Sequence, residues 1–105
     1  MPTPFQEKVY ALCRRVPSGQ VTTYGEIARA LGTRAFQAVG QALRRNPYAP
    51  AVPCHRVVSA DGSLHGFNGQ TSGREMRRKE ELLAAEGVTV ADGKVSNLSR
   101  ILHIF

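Results

Sequence analysis

The spacing of apolar residues predicts a first amphipathic helix near the N-terminus. Thr3 followed by Pro4 and Gln6 has the form of a helix start with a capping box, in which side chains and backbone bond across the first turn. Five apolar residues then fall on one helical face: Phe5, Val9, Leu12, Cys13 and Val16. The sequence Pro17-Ser18-Gly19 ends this helix. Because Cys13 lies on the apolar face, we predict that it is a small buried core residue.

A second and a third helix follow with the pattern of a helix-turn-helix over residues 23–45. Thr23 and Glu26 form another capping box, and Gly32 stands where a C-terminal cap belongs. The third helix is predicted over residues 34–45, with these residues facing inward: Ala35, Ala38, Val39, Ala42 and Leu43. Its outer face is polar and basic: Arg34, Gln37, Gln41, Arg44 and Arg45. Small inner residues with a polar outer face are typical of a helix laid against DNA. An ordinary helical hairpin with a solvated basic side has the same pattern.

Short strands are predicted in the second half of the chain. Residues 55–59 have the pattern of a strand, Asp61-Gly62 that of a turn, and residues 63–67 that of the returning strand. Residues 88–95 predict a last small hairpin. The apolar tail over residues 101–105 is expected to dock on the body of the protein.

A fourth helix is predicted between these strands. Ser72 with Glu75 has the form of a helix cap. The helix runs to about Glu86 and ends at Gly87, a residue type favoured just after a helix.

The composition adds one property that bears on function, a net positive charge. The 105 residues fit one domain over residues 1–105, with ordinary apolar (42%) and charged (21%) fractions. The net charge is +6 and the sequence pI is about 10.0. A compact basic domain attracts polyanions, and nucleic acid is the commonest of them. A solubilising excess of charge is the alternative interpretation.

Several classes of protein are excluded at this stage. No stretch approaches the roughly 18 apolar residues of a membrane span. Two cysteines do not suggest a disulfide framework, and no cysteine and histidine have zinc-site spacing. We therefore expect no metal, no cofactor, no membrane partner and no obligate oligomer, so that the protein is a cytoplasmic monomer (nucleoid-associated or nuclear, depending on the host).

The most informative segment for chemistry surrounds Cys54. A cysteine is a good nucleophile only as its thiolate, which requires nearby positive charge or a base. His55 and Arg56 can supply these. If residues 55–59 form a strand, neighbouring side chains point to opposite faces, so His55 reaches Cys54 only through a bridging water or a bend at Pro53. A buried structural cysteine and a redox role remain alternatives.

The motif Pro53-Cys54-His55-Arg56-Val57 resembles the active-site motif of the O6-alkylguanine-DNA alkyltransferases. Four further segments resemble that family in the same order along the chain. Residues 22–28 resemble the start of its helix-turn-helix, residues 38–43 its recognition helix, Asn46-Pro47 its asparagine hinge, and residues 79–87 the following helix with its catalytic glutamate.

The resemblance implies a mostly helical α/β fold. This is a winged-helix-like helix-turn-helix domain with a small β-hairpin, corresponding to the C-terminal domain of the family, which docks in the DNA minor groove. It further implies that the damaged guanine is flipped into a pocket beside Cys54. His55 would withdraw the cysteine proton through a water, and Glu86 would orient the imidazole. The Tyr24 hydroxyl would protonate the departing base and push the 3′ phosphate. The alkyl group would stay on the sulfur, so that each molecule acts once.

Other roles also follow from the resemblance. Val57, Phe67 and Asn68 would line the lesion pocket, and Asn46 would be a structural hinge. The DNA-binding residues would be Tyr24 and the outer face of the third helix, namely Arg34, Gln37, Gln41, Arg44 and Arg45. The implied partner is double-stranded DNA containing O6-alkylguanine, with nucleotide excision repair proteins as a further possibility.

The chain departs from the family pattern at Gln37. An arginine usually stands here and fills the hole left by the flipped base. Gln37 can still intercalate and hydrogen-bond the orphaned cytosine, but without the charge. Arg34, one turn earlier, is an alternative.

Two other features are similar to the alkyltransferase-like proteins. The N-terminal domain of the family is expected to be absent, and the loop after Phe67 is longer by several residues. Alkyltransferase-like proteins bind alkylated guanine without repairing it and usually carry tryptophan or alanine in place of Cys54. Three functions therefore stay open: irreversible alkyl transfer to Cys54, a binding-only lesion sensor, and a helix-turn-helix regulator or other basic interaction module.

Overall fold

The computed structural model describes residues 2–49, 51–64 and 73–105. Helix α1 spans Pro4–Arg14, and the predicted capping box is present, with Gln6 N donating to Thr3 Oγ1 and Thr3 N donating to Gln6 Oε1. The predicted apolar face is the buried one, and Cys13 is a fully buried core residue as predicted. Tyr10 is also buried, and its hydroxyl is satisfied there by donating to the Ala42 carbonyl at 2.6 Å.

Helices α2 (Tyr24–Ala30) and α3 (Phe36–Arg44) form the predicted helix-turn-helix. Thr23 caps α2 by accepting from the Glu26 amide at 3.1 Å. Gly32 adopts φ +70 after α2, where the Thr33 amide reaches back to the Ala28 carbonyl. This bond pattern is a Schellman motif, which needs the left-handed conformation that glycine adopts without strain.

Part of the prediction for α3 is wrong. The helix begins at Phe36 rather than at residue 34, and Ala35 and Ala38 are exposed instead of facing inward. The buried residues of α3 are Val39, Ala42 and Leu43. Ala35 and Ala38 continue the same i, i+3, i+4 series, but Ala35 is the N-cap residue and Ala38 lies in the first turn, and this end of the series is not covered.

The strand predicted over residues 55–59 is also wrong in its first half. Cys54–Arg56 is a 3-10 turn, closed by the Arg56 amide donating to the Pro53 carbonyl at 2.9 Å. Strand β2 is confined to Val57–Val58 and pairs in parallel with β1 (Thr22–Thr23). The start of α2 and the Cys54 segment are thereby joined.

A tight turn follows β2 as predicted, and the start of the returning segment bonds both across this turn and to a second segment. Gly62, with φ +89, donates to the Ser59 carbonyl. The Ser59 amide also donates to the Ser63 carbonyl at 3.0 Å, and Ser63 forms an antiparallel bridge with Lys94. The remainder of the predicted strand, residues 65–67, lies outside the described residues.

The C-terminal elements agree with the prediction. Helix α4 spans Gly73–Ala85, and its predicted cap at Ser72 lies outside the described residues. Strands β3 (Val90–Ala91) and β4 (Lys94–Val95) form the hairpin, whose turn residues, Asp92 and Gly93, both have positive φ as a type I′ turn requires.

The tail docks beside the helix-turn-helix. After α5 (Leu98–Ile101), Leu102 pairs in parallel with Val21, and the His103 amide donates to the Val21 carbonyl at 2.7 Å. Among the described residues, no helix is both long and apolar enough to cross a membrane.

Candidate active site and nucleic-acid interface

A bend at Pro53 presents Cys54. The Cys54 amide donates to the Val52 carbonyl at 2.9 Å, and Pro53 has φ −82 and ψ 71. These values describe an inverse γ-turn. A bend at Pro53, one of the two predicted ways for His55 to reach the thiol, is therefore present, and a helical turn follows it in place of a strand.

The Cys54 thiol is buried, with 6% of the residue exposed. Burial raises the pKa of this thiol above 9.0, while a hydrogen bond from the Asn46 side chain and the charge of Lys79 act in the opposite direction. At neutral pH the sulfur therefore carries its proton, and a nucleophilic role requires a base that removes it.

His55 is the neighbouring base, and Glu86 holds it. The distance from His55 Nε2 to Glu86 Oε2 is 3.0 Å. Burial lowers the pKa of His55 below 6.5, although the bond to Glu86 opposes that shift. The imidazole is thus neutral at pH 7. With the Nε2 proton donated to the carboxylate, Nδ1 is the ring nitrogen that accepts a proton.

Glu86 is placed by the end of α4. Gly87 has φ +84, and the Val88 amide bonds back to the Leu83 carbonyl, which again is a Schellman motif. A carboxylate at a helix C-terminus faces the negative end of the helix dipole. This unfavourable position is compensated by the cationic partner described next.

Arg56 clamps Glu86. Its Nε donates to Glu86 Oε1 at 2.9 Å, its Nη2 bonds to Glu86 Oε2, and its Nη1 donates to the Val16 carbonyl at 2.8 Å. Arg56 is one of the residues predicted to supply positive charge to the thiol. The structure shows its guanidinium engaged with the segment after α1 and with the end of α4.

Lys79 is a site residue that sequence reasoning missed. It is 1% exposed, and its Nζ donates to the Val57 carbonyl at 2.7 Å. Burial lowers its pKa to about 8, while the Cys54 and Cys13 thiols act in the opposite direction. The available signal was a lysine at helical spacing from the apolar residues Met76 and Leu83, where a charge is out of place.

Asn46 connects the end of α3 to the active-site turn. Its Nδ2 donates to the Val52 carbonyl at 2.9 Å, and its Oδ1 accepts from the Tyr48 amide at 2.9 Å. One side chain thus bridges both ends of the loop before Cys54. This geometry suits the predicted hinge, whose functional role stays a prediction.

The remaining predicted residues are distributed as follows. Tyr24 is the first residue of α2 and half-buried, and burial together with the Cys54 thiolate raises its pKa above 10.0. Val57 is fully buried, and its carbonyl is bonded to Lys79. Phe67 and Asn68 lie outside the described residues.

The polar face of the helix-turn-helix is open to solvent. All five residues predicted for it are exposed: Arg34, Gln37, Gln41, Arg44 and Arg45. A row of arginines on one exposed face is the charge distribution that binds a phosphate backbone. Within the described part of the chain, no group of three or more histidine, cysteine or acidic residues is arranged to hold a metal ion.

Comparison with known proteins gives a family and structural relatives. The family model described as 6-O-methylguanine DNA methyltransferase, DNA binding domain, matches residues 4–88. A methylated-DNA--protein-cysteine methyltransferase of Methanosarcina acetivorans is 46% identical over 86 residues, which are 81% of this chain and 52% of that protein. The chain spans about half the length of the curated relatives it matches.

Two solved structures resemble the whole or most of the chain. S. pombe Atl1, in complex with damaged DNA containing O6-carboxymethylguanine, has a TM-score of 0.82 and 31% identity, with 98% of each chain covered. Mycobacterium tuberculosis OGT, in complex with DNA, has a TM-score of 0.73 and 41% identity, with 82% of this chain and 51% of the other covered.

Proposed function

Because this chain belongs to the 6-O-methylguanine DNA methyltransferase family, we propose that it repairs DNA by transferring the alkyl group of O6-alkylguanine to Cys54. The observation that carries this proposal is the hydrogen-bonded His55–Glu86 pair, whose histidine follows Cys54 in the same 3-10 turn. A nucleophile, a base and a group that orients the base are the three components of an activated-thiol site.

The proposed reaction is one displacement. His55 takes the proton of Cys54, directly or through a water, and the resulting imidazolium is stabilised by Glu86 at 3.0 Å. The thiolate forms a bond to the alkyl carbon while the bond between that carbon and guanine O6 breaks. The leaving guanine takes up one proton, for which Tyr24 at the start of α2 is the proposed donor. The thioether is stable, so each protein molecule reacts once.

Access to the thiol requires the guanine to leave the duplex. Cys54 is only 6% exposed, so an alkyl carbon stacked inside a helix cannot reach the sulfur. Extrusion of the base is the general solution for chemistry on a stacked nucleotide. We propose that α3 enters the minor groove and that its exposed arginines, with Arg44 and Arg45 at the end of the helix, bind phosphates on either side.

Intact-mass spectrometry tests this proposal. The protein is incubated with a duplex containing one O6-methylguanine, and we expect the mass to rise by one methyl group, located on Cys54 by peptide mapping. Cys54→Ser should show no gain, while Cys13→Ser, which alters the other buried thiol, should still be methylated. Lesion-selective binding without any mass change would refute transfer.

A binding-only lesion sensor is the second candidate. It is favoured by the structural similarity to Atl1 (TM-score 0.82), which was solved bound to damaged DNA. In this case Cys54 would be unreactive, and the bound lesion would be handed to nucleotide excision repair proteins. Equal affinity for damaged and undamaged duplexes would contradict both candidates and favour a general DNA-binding module.

A further inference from the structure

Phe36 is an unusual first residue for a DNA-facing helix. The residue is 52% exposed to solvent. In the described part of the chain, Phe36 and Ile104 are the two large apolar residues that are exposed. A single exposed apolar residue is common on protein surfaces and carries no meaning alone. The surroundings of Phe36 decide its role.

The ring of Phe36 lies beside the start of α2. A Cβ placed on Gly25 would be 4.0 Å from Phe36 Cε1, so the ring covers the residue that follows Tyr24. A groove of about 480 Å³ opens here, lined by Gly25, Arg29, Gly32, Thr33, Arg34 and Phe36. Phe36 therefore lies against Gly25, the chain neighbour of the tyrosine that is proposed to face the flipped base.

The charge and size of the neighbouring residues favour nucleic acid as the occupant. Arg34 is exposed on the groove wall and can meet a phosphate, whereas the exposed Arg29 is paired with Glu26. Ala35 and Ala38 are also exposed, and their small side chains let the helix backbone come close to a groove floor. A partner protein would require a wider apolar surface than one ring among arginines.

We propose that Phe36 is an apolar wedge that enters the DNA minor groove and opens a base step next to the extruded guanine. This inference rests on the proposed function. Phenylalanine is one of the side chains with which minor-groove proteins unstack and kink a duplex. Gln37 lacks the charge of the arginine that usually fills the hole left by the base. On this proposal, Phe36 supplies the apolar surface, and Gln37 is left to bond the unpaired cytosine.

The experiment compares Phe36→Ala, Phe36→Leu and Ile104→Ala, the last being a matched loss of an exposed apolar side chain on the tail. Each is titrated onto duplexes with and without one O6-methylguanine, and 2-aminopurine beside the lesion reports unstacking. We expect Phe36→Ala to weaken lesion binding about tenfold, the effect of losing roughly half a phenylalanine burial. It should also lose most of the fluorescence rise.

The controls separate this inference from the proposed function. Phe36→Leu should retain most of the affinity because it keeps an apolar wedge. Phe36→Ala should leave the salt dependence unchanged because no charge is removed. If Phe36→Ala binds and unstacks like Ile104→Ala, the wedge is refuted while lesion binding by the unaltered protein still supports the proposed function. If the unaltered protein itself does not prefer the lesion, the proposed function fails.

Discussion

Replacing Glu86 by glutamine tests the proposed site most directly, because this carboxylate holds both His55 and Arg56. The substitution keeps the shape and one acceptor oxygen but removes the negative charge. The side chains of Glu86 and Arg56 are 15% and 17% exposed, so water screens their attraction only weakly. Removing one partner of a buried pair costs about 3–5 kcal/mol. Since the amide still accepts one bond, we expect a loss of about 2–4 kcal/mol in the free energy of unfolding.

The same substitution should slow alkyl transfer. Without the carboxylate, the imidazolium of His55 loses its stabilising partner, and the pKa of His55 falls further below 6.5. The loss of a charge-assisted hydrogen bond of about 1.5 kcal/mol leaves about tenfold less thiolate, and we expect about tenfold slower transfer.

The assay combines urea denaturation with single-turnover methyl transfer, measured where the variant is fully folded. His55→Gln is the matched control. It removes the base but leaves the Arg56–Glu86 pair, so it should slow transfer more and destabilise less. A Glu86→Gln protein as stable as the original would refute the clamp. Unchanged transfer by a folded variant would refute the role of the His55–Glu86 pair.

The pH dependence of stability provides a further check with a defined sign. Burial raises the pKa of Glu86, but the hydrogen bonds from Arg56 and His55 outweigh it, so that the pKa lies below 4.5 in the folded protein. The carboxylate therefore stabilises the fold above pH 4.5, and this contribution is lost as the pH falls through the folded pKa. The loss of unfolding free energy on lowering the pH through this range should be smaller for Glu86→Gln than for the original protein.

Three other predictions follow from the contacts described. The pKa of Lys79 is about 8 in the folded protein and 10.5 in the unfolded chain. The stability of the original protein relative to Lys79→Met should therefore rise between about pH 8 and 10.5. A difference in urea midpoints that stays constant across this range would contradict the buried amine. Tyr10→Phe leaves the buried Ala42 carbonyl without the tyrosine donor and should lower the free energy of unfolding by about 1–3 kcal/mol. Tyr48→Phe removes an exposed bond to Glu7 and should lower it less. Equal losses of unfolding free energy in the two variants would argue against the bond of Tyr10. Arg44→Ala should reduce the steepness of the plot of log affinity for duplex DNA against log salt concentration by about 0.9. Arg100→Ala, on α5, should leave this slope unchanged. Identical slopes for the two variants would place the DNA-binding face elsewhere.

Local signals along the chain were sufficient to predict most of the helices. The capping box at Thr3 and the glycines at 32 and 87 mark helix ends through bonds between residues a few positions apart. Such bonds depend on local sequence alone, and the structure confirms each of them. The Asp92-Gly93 turn belongs to the same class.

The parts that were wrong depend on contacts distant in sequence. Residues 55–59 have an apolar pattern suited to a strand, but Arg56 reaches Glu86 and Val16 from a helical turn, and this contact outweighs local preference. Lys79 was missed for the same reason. Its partner, the Val57 carbonyl, lies 22 positions away.

The parallel pairing of β1 and β2 has a kinetic consequence. Strand β1 also receives the chain terminus, since Thr22 Oγ1 donates to the His103 carbonyl across 81 positions, and His55 meets Glu86 across 31. Contacts that close such long loops form slowly, after local helices. We therefore expect the helix-turn-helix to gain amide-exchange protection early in refolding and the imidazole–carboxylate pair to assemble last. The time at which the Cys54 thiol becomes reactive would then report the completion of folding.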